Sequence, residues 1–70
     1  MNLKEIKITT DFIKLDSFLK LSGIASTGGH AKIIITGGEV KVNDEICTMR
    51  GKKLYSGDIV EFEKEKIKVI

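Results

Sequence analysis

The spacing of apolar residues changes at Gly37-Gly38, and this change constrains the fold more than any other feature of the chain. From Ala31 to Ile35, apolar residues recur at i, i+3 and i+4 and so share one face of a helix. From residue 40 onward, apolar residues alternate with polar ones, as in a strand with one buried face. Helices that precede a run of strands predict an α+β fold.

Two helices are predicted. One face of the first helix carries residues at i, i+3, i+4 and i+7: Leu15, Phe18, Leu19 and Ser22. Gly23 is placed to end this helix. Ser26 or Thr27 is predicted to cap the second helix, and Gly37-Gly38 to end it, because glycine enters the left-handed conformation without strain.

Strands are predicted on both sides of the helices. Residues 4–9 alternate as in a short strand, and a turn at Asn43-Asp44 is expected to join residue 42 to a strand at 45–47. Residues 59–70 alternate apolar and charged side chains, which predicts one or two strands at a half-buried edge. The remaining segments are predicted as a basic loop, MRGKK (49–53), and a turn, YSGD (55–58).

The composition excludes several classes of protein. The 70 residues are 41% hydrophobic and 31% charged with no proline, which is typical of an ordered domain. No apolar run approaches the roughly 20 residues of a membrane helix, and the N-terminal residues lack a signal-peptide core. The single cysteine, Cys47, has no partner for a disulfide or a zinc site. We therefore predict one cytoplasmic domain over residues 1–70, without a membrane segment, a metal, another cofactor or a small-molecule substrate.

Positive charge is concentrated in the middle of the chain. Residues 14–53 contain seven Lys or Arg against four Asp or Glu, whereas residues 58–68 contain three lysines against four acids. The net charge of +2 says little about partners, but this uneven distribution indicates a one-sided surface for a polyanion.

The segment STGGHAK (26–32) is the first candidate site. Gly28 and Gly29 lie at the predicted start of the second helix, where unpaired N–H groups attract anions and residues without side chains let a phosphate approach. The two glycines are equally compatible with a mere tight link between the helices, and the residues alone leave both readings open. Lys32 projects beside this first turn, and His30 is predicted at the third helical position, near the cap.

The second candidate site combines the hairpin with the loop that follows it. Arg50, Lys52 and Lys53 surround a flexible glycine and can follow phosphates, together with Lys41 on the hairpin. Asn43 offers a donor and an acceptor to a base or a ribose hydroxyl. Its alternative role is to start the hairpin turn, and both roles are compatible.

No arrangement for catalysis accompanies His30, the only histidine. The sequence shows no Ser/His/Asp set and no paired carboxylates in a plausible pocket, so we predict that the protein is not an enzyme. The remaining distinctive side chains are predicted to pack in or near the core: Phe12, Phe18, Tyr55, Phe62 and Cys47.

Taken together, residues 13–44, IKLDSFLKLSGIASTGGHAKIIITGGEVKVND, resemble the RNA-binding domain family of ribosomal protein S-four, the alpha-L RNA-binding motif. The family pattern has a basic residue, Leu and Asp at the start of helix one, a hydroxyl residue opening helix two, Ala followed by a basic residue, a glycine, and a Val-basic-Val-Asn-Gly hairpin. The matching positions are Lys14-Leu15-Asp16, Thr27, Ala31-Lys32, Gly38 and Val40-Lys41-Val42-Asn43-Asp44. TGGHAK, VKVN, RGKKL and GDIVEF are further similar to the small stand-alone bacterial members of the YaaA type.

This resemblance implies two short helices packed on a small, mostly antiparallel sheet, with structured RNA, commonly ribosomal, as the partner. It also implies an RNA face made of Lys14, Asp16, Thr27, His30, Lys32, Lys41 and Asn43. Gly28 stands where many members have Arg, which exposes backbone amides and favours phosphate approach, and Asp44 stands where Gly is usual, which adds a negative charge to this face. We predict a non-catalytic protein that binds ribosomal or other folded RNA in a bacterium, during ribosome assembly.

Other classes of protein fit parts of the sequence. A β-grasp carrier of the sulfur-carrier or ubiquitin type has similar strands, but it needs a C-terminal Gly-Gly, whereas this sequence ends Lys68-Val69-Ile70. A DNA-binding helix-turn-helix needs base-reading polar side chains along its second helix, where KIIITGG is mostly apolar. A protein-interaction adaptor, whose basic face meets an acidic partner, remains open.

Overall fold

The computed structural model describes residues 3–70, so residues 1–2 of the predicted domain lie outside the described part. The helices and strands are β1 (Leu3–Ile6), β2 (Ile13–Lys14), α1 (Leu15–Leu21), α2 (Gly28–Thr36), β3 (Val40–Val42), β4 (Glu45–Ile46), β5 (Lys53–Leu54), β6 (Ile59–Phe62) and β7 (Glu65–Val69). Within residues 3–70, no helix has the length and apolar character required to cross a membrane.

Five strands form one sheet in the order β1-β7-β6-β3-β4. β1 runs parallel to β7, and the other neighbours in this sheet are antiparallel. The two remaining strands, β2 and β5, form a separate antiparallel ribbon. The predicted fold class, α+β with two short helices on a small, mostly antiparallel sheet, is confirmed.

The core lies between the two helices and one face of the five-stranded sheet. Its buried side chains are Leu15, Phe18, Leu19, Ala25, Ala31, Ile34, Ile35, Val40, Val42, Leu54, Val60, Ile67 and Val69. Each helix contributes residues at i, i+3 and i+4, and β3 and β7 each contribute alternate residues, as the two periodicities require. β6 contributes Val60, with the alternate residue Phe62 partly buried against the core. The opposite face of the sheet is therefore turned away from the helices.

The helix ends follow the sequence signals closely. Thr27, rather than Ser26, is the N-cap of α2. Gly23 follows α1 with a φ of +85°, which confirms its role as a stop. After α2, Gly37 keeps right-handed helical angles and Gly38 alone adopts a left-handed φ, of +76°. Of the two glycines at the end of α2, Gly38 is thus the one that needs glycine conformationally.

The predicted location of the C-terminal strands is wrong. Residues 59–70 do form two strands, because Glu63 and Lys64 adopt left-handed φ values of 51° and 69° and turn the chain. β6 and β7 are interior strands of the sheet, whereas β1 and β4 are its edges. The alternating charges correctly indicated that one face of these strands is solvated. Whether a strand lies at the edge or in the interior of a sheet depends on its pairing with distant segments, which this alternation does not report.

The pairing of β2 with β5 was not predicted, because two-residue strands carry no periodicity. The prediction that Tyr55 packs in or near the core is also wrong, since 50% of this residue is exposed. Phe18 is fully buried, and Phe62 and Cys47 pack partly buried against the core, as predicted.

Candidate nucleic-acid interface

The β2–β5 ribbon places two predicted lysines side by side. Ile13 lies opposite Leu54, and both side chains point toward the core. The next cross-strand pair is Lys14 opposite Lys53, on the solvent side of the ribbon. Like charges directly opposite each other are destabilising in an isolated sheet, so this pair is suited to a shared anion.

The basic loop is attached to the start of α1 through backbone hydrogen bonds. The N–H of Leu15 donates to the carbonyl oxygen of Lys52 at 2.8 Å, and the N–H of Asp16 donates to that of Arg50 at 3.1 Å. The first N–H groups of a helix have no partner inside the helix, and here the loop carbonyls supply partners. The start of α1 and the loop are therefore held as one unit.

We call Lys14, Asp16, Arg50, Lys52 and Lys53 the helix-1 group. The four cations are exposed, whereas Asp16 is half-buried. Oδ1 of Asp16 accepts a hydrogen bond from the N–H of Ser17 at 2.7 Å, so this carboxylate stabilises the first turn of α1. The tertiary structure has joined residues from two separate segments of the sequence, 14–16 and 50–53.

The start of α2 brings together the residues of the first candidate site, which we call the helix-2 group: Thr27, Gly28, Gly29, His30 and Lys32. Oγ1 of Thr27 accepts from the N–H of His30 at 3.0 Å. Nδ1 of His30 accepts from the N–H of Ser26 at 3.3 Å, which resembles the reciprocal bonding of a capping box. The prediction that His30 is the third helical residue, near the cap, is confirmed.

Neither glycine at the start of α2 is required by the packing of the protein. A Cβ atom at Gly28 would meet nothing within 4 Å, and one at Gly29 would meet only Oγ1 of Thr27, at 3.9 Å. Both residues have ordinary helical backbone angles, and neither N–H group has an acceptor among residues 3–70. The protein therefore leaves the side-chain positions of both residues empty and both N–H groups without a partner within the described residues.

The helix-1 group gathers at the start of α1, and the helix-2 group lies at the start of α2. α1 rises about 10 Å over its seven residues. A six-residue link, 22–27, then leads to α2, where Ala31 is buried and the neighbouring Lys32 is exposed. The two groups are therefore built at the starts of the two helices.

Lys41 does not join these groups. Because Val40 and Val42 face the helices, Lys41 lies on the outer face of the sheet, opposite Glu61 of β6. Glu61 in turn lies opposite Lys66 of β7, so charges of alternating sign follow one another across this face. As an RNA contact, Lys41 remains a prediction.

Asn43 has a structural role in addition to the predicted contact with RNA. Its Nδ2 donates to Oδ1 of Asp58 at 3.1 Å, and its Oδ1 accepts from the N–H of Ile59 at 3.0 Å. Oδ2 of Asp58 accepts from the N–H of Tyr55 at 2.8 Å. Asp58 is not among the predicted site residues, although its position in the SGD turn signals such bonding.

A groove of about 380 Å³ connects the hairpin to the basic loop. Its lining residues are Val42, Asn43, Glu45, Ile46, Cys47, Thr48, Met49 and Lys52. Lys52 of the helix-1 group and Asn43 of the hairpin thus share one concave surface. Residues 3–70 contain no grouping of three or more His, Cys, Asp or Glu side chains that could hold a metal.

Two helices on a mostly antiparallel sheet, with cations gathered at the start of the first helix, define a domain of the alpha-L type. The model of the S4 domain family matches residues 6–70, and the chain belongs to this family. The resemblance seen in the sequence is therefore confirmed.

Three comparisons with individual proteins agree with this assignment. The chain is 50% identical over 58 residues to the "Probable ribosome maturation protein RlbA" of Bacillus subtilis (strain 168), covering 83% of this chain and 82% of that protein. It is 34% identical over 58 residues to YbcJ of Escherichia coli (strain K12), covering 83% of both. The solution structure of YbcJ from E. coli, described as having an ALFAL motif involved in RNA-binding, superimposes with a TM-score of 0.74 at 30% identity, covering 100% of this chain and 90% of that one.

Proposed function

We propose that this protein binds structured ribosomal RNA in the bacterial cytoplasm and acts, without catalysis, in ribosome assembly or maturation. The observation that carries the proposal is the attachment of the basic loop to α1, through the hydrogen bonds from Leu15 and Asp16 to Lys52 and Arg50. This attachment gathers four cations on a backbone that is already ordered. Preorganised cations bind phosphates without a further loss of loop entropy.

The relatives support both parts of the proposal. RlbA carries the description of a ribosome maturation protein, and the YbcJ structure is described as having a motif involved in RNA-binding. Folded RNA exposes phosphates and 2′-hydroxyls and is recognised by shape more than by sequence. The helix-1 group supplies point charges, and the open amides of Gly28 and Gly29 supply hydrogen-bond donors for a second phosphate.

The first experiment is crosslinking of the tagged protein to RNA in its own cells, followed by sequencing. The test variant is Lys32→Glu/Lys52→Glu/Lys53→Glu. A matched control, Lys7→Glu/Lys64→Glu/Lys68→Glu, reverses three lysines outside both groups. We expect one region of ribosomal RNA to be enriched with the native protein and the control, and lost with the test variant. Equal crosslinking by all three proteins, or no enriched RNA, contradicts the proposal.

The salt dependence of binding provides a second test, in vitro. Each phosphate contact adds about −0.7 to −0.9 to the slope of log K against log salt concentration. Contacts by the four cations of the helix-1 group therefore predict a slope of about −3. Lys52→Glu/Lys53→Glu is expected to reduce its magnitude by about 1.5 or more, whereas Lys7→Glu/Lys64→Glu should leave it unchanged.

A further inference from the structure

The solvent side of the β2–β5 ribbon carries aromatic rings beside the paired lysines. Phe12 precedes β2 and Tyr55 follows β5, so their rings extend the face that carries Lys14 and Lys53. The ring centroids of Phe12 and Tyr55 are 6.2 Å apart, with the planes tilted by 50°. Nζ of Lys53 lies 4.8 Å from the centroid of Phe12. Phe12 and Tyr55 belong to neither group described above, whereas Lys14 and Lys53 are members of the helix-1 group.

Tyr55 is exposed and yet held firmly. Half of the residue is exposed, although a tyrosine side chain is mostly hydrocarbon. Its N–H donates to Oδ2 of Asp58 at 2.8 Å, and its carbonyl oxygen accepts from the N–H of Asp58 at 3.0 Å. The adjacent Leu54 is fully buried, which anchors β5 from the other side. A rigid aromatic surface loses little entropy when another ring stacks on it.

The positive charge of this face is not neutralised by the protein. In the part of the chain that the structure describes, no carboxylate lies within ion-pair distance of Lys14 or Lys53. The two lysines are cross-strand neighbours, so each raises the local positive potential at the other. Lys53 already covers Phe12, which leaves the ring of Tyr55 as the free aromatic surface.

We propose that this face binds an unpaired nucleotide, with its base stacked on Tyr55 and its flanking phosphates held by Lys14 and Lys53. The proposal rests on the proposed function, because it concerns a single-stranded segment of the same RNA partner. A base within a duplex has both faces covered by its neighbours, whereas an unpaired base presents a free face to an aromatic side chain. This face shares Lys14 and Lys53 with the helix-1 group, so one RNA can contact the aromatic surface and the remaining cations of that group.

The fluorescence of Tyr55 provides a direct test. Tyr55 is the single tyrosine of the 70 residues, and the sequence contains no tryptophan. The native protein is titrated with hexaadenylate RNA and with an abasic hexamer that has the same ribose-phosphate backbone. We expect quenching by hexaadenylate and binding at least about fivefold weaker for the abasic hexamer. Equal affinity of the two hexamers, or hexaadenylate binding without quenching, overturns the proposal, as does the absence of any hexamer binding.

Variants separate stacking from charge, with end-labelled hexaadenylate followed by anisotropy. Tyr55→Phe keeps a ring and is expected to retain the affinity within about twofold, whereas Tyr55→Leu is expected to lose about fivefold or more. Ile33→Ala, which alters a residue exposed on α2, should have no effect. Far-UV circular dichroism checks that each variant folds. Unchanged affinity of Tyr55→Leu overturns the proposal.

Comparing Tyr55→Leu with a charge-reversal variant distinguishes this proposal from the proposed function. Binding of a folded ribosomal RNA fragment is measured in parallel for the native protein and for Lys52→Glu/Lys53→Glu. If the folded RNA binds in a manner that depends on these lysines while Tyr55→Leu has no effect on the hexamer, only the stacking site is wrong. If neither RNA binds, both proposals are wrong.

Discussion

Asn43 and Asp58, 15 residues apart in the sequence, are joined by a side-chain hydrogen bond of 3.1 Å from Nδ2 to Oδ1. The bond ties the turn after β3 to the turn before β6. The other oxygen of Asp58 accepts from the N–H of Tyr55, so one carboxylate positions both the hairpin and the proposed stacking residue. The contact links the folding of the sheet to the shape of the candidate interface.

This bond predicts a measurable coupling between the two residues. In a double-mutant cycle of Asn43→Gly and Asp58→Ala, we expect a coupling free energy of about 1 kcal/mol in urea unfolding. Glycine is used at position 43 because its φ of 52° is left-handed. Asp11→Ala, at an exposed position, should be additive with Asn43→Gly. A coupling near zero for Asn43 and Asp58 means that the bond does not stabilise the protein.

Gly28→Ala is expected to stabilise the protein and to weaken RNA binding. The added methyl group meets nothing within 4 Å, and alanine favours the helix over glycine, by about 0.5 kcal/mol in the first turn. The same methyl group obstructs a phosphate at the amide. Gly23→Ala is the matched control for the effect on stability. The φ of Gly23, +85°, is left-handed, so the same substitution is expected to destabilise the protein there. Chemical unfolding measures the change in stability, and titration with a ribosomal RNA fragment measures the change in RNA affinity. Unchanged RNA affinity for Gly28→Ala contradicts phosphate contact at this position.

Asp44→Gly and Lys64→Gly form a second matched pair. Both residues have a left-handed φ, 70° and 69°, at the second position of a two-residue turn. Glycine relieves the steric cost, so each substitution is expected to raise the free energy of unfolding by about 1 kcal/mol. Only Asp44→Gly removes a negative charge beside the hairpin, and only it should strengthen RNA binding. An equal effect of both on affinity would show that position 44 lies outside the interface.

Thr27→Ala tests the cap of α2. It removes the acceptor of the His30 N–H and is expected to cost about 1 kcal/mol of stability, whereas Thr27→Ser keeps the hydroxyl and should cost much less. Thermal unfolding followed by circular dichroism compares the two variants with the native protein. Equal losses in both would assign the effect to the methyl group of Thr27 instead of the hydroxyl.

The sequence by itself determined the features that depend on neighbouring residues. The apolar spacing around Phe18 and Ile34 defined the two helices, Thr27 and Gly23 marked two of their ends, and alternation defined β3, β6 and β7. The family resemblance added the alpha-L fold. These signals are local because the periods of a helix and a strand repeat within a few residues.

Only the tertiary structure decided the features that depend on distant segments. It placed β6 and β7 in the interior of the sheet, paired Lys14 with Lys53, and left Tyr55 exposed. It also separated Lys41 from the cations near the helices by placing it on the outer face of the sheet. The physical reason is that backbone groups must find hydrogen-bond partners, and the partners of residues 14–16 lie in residues 50–53, beyond the reach of any local pattern.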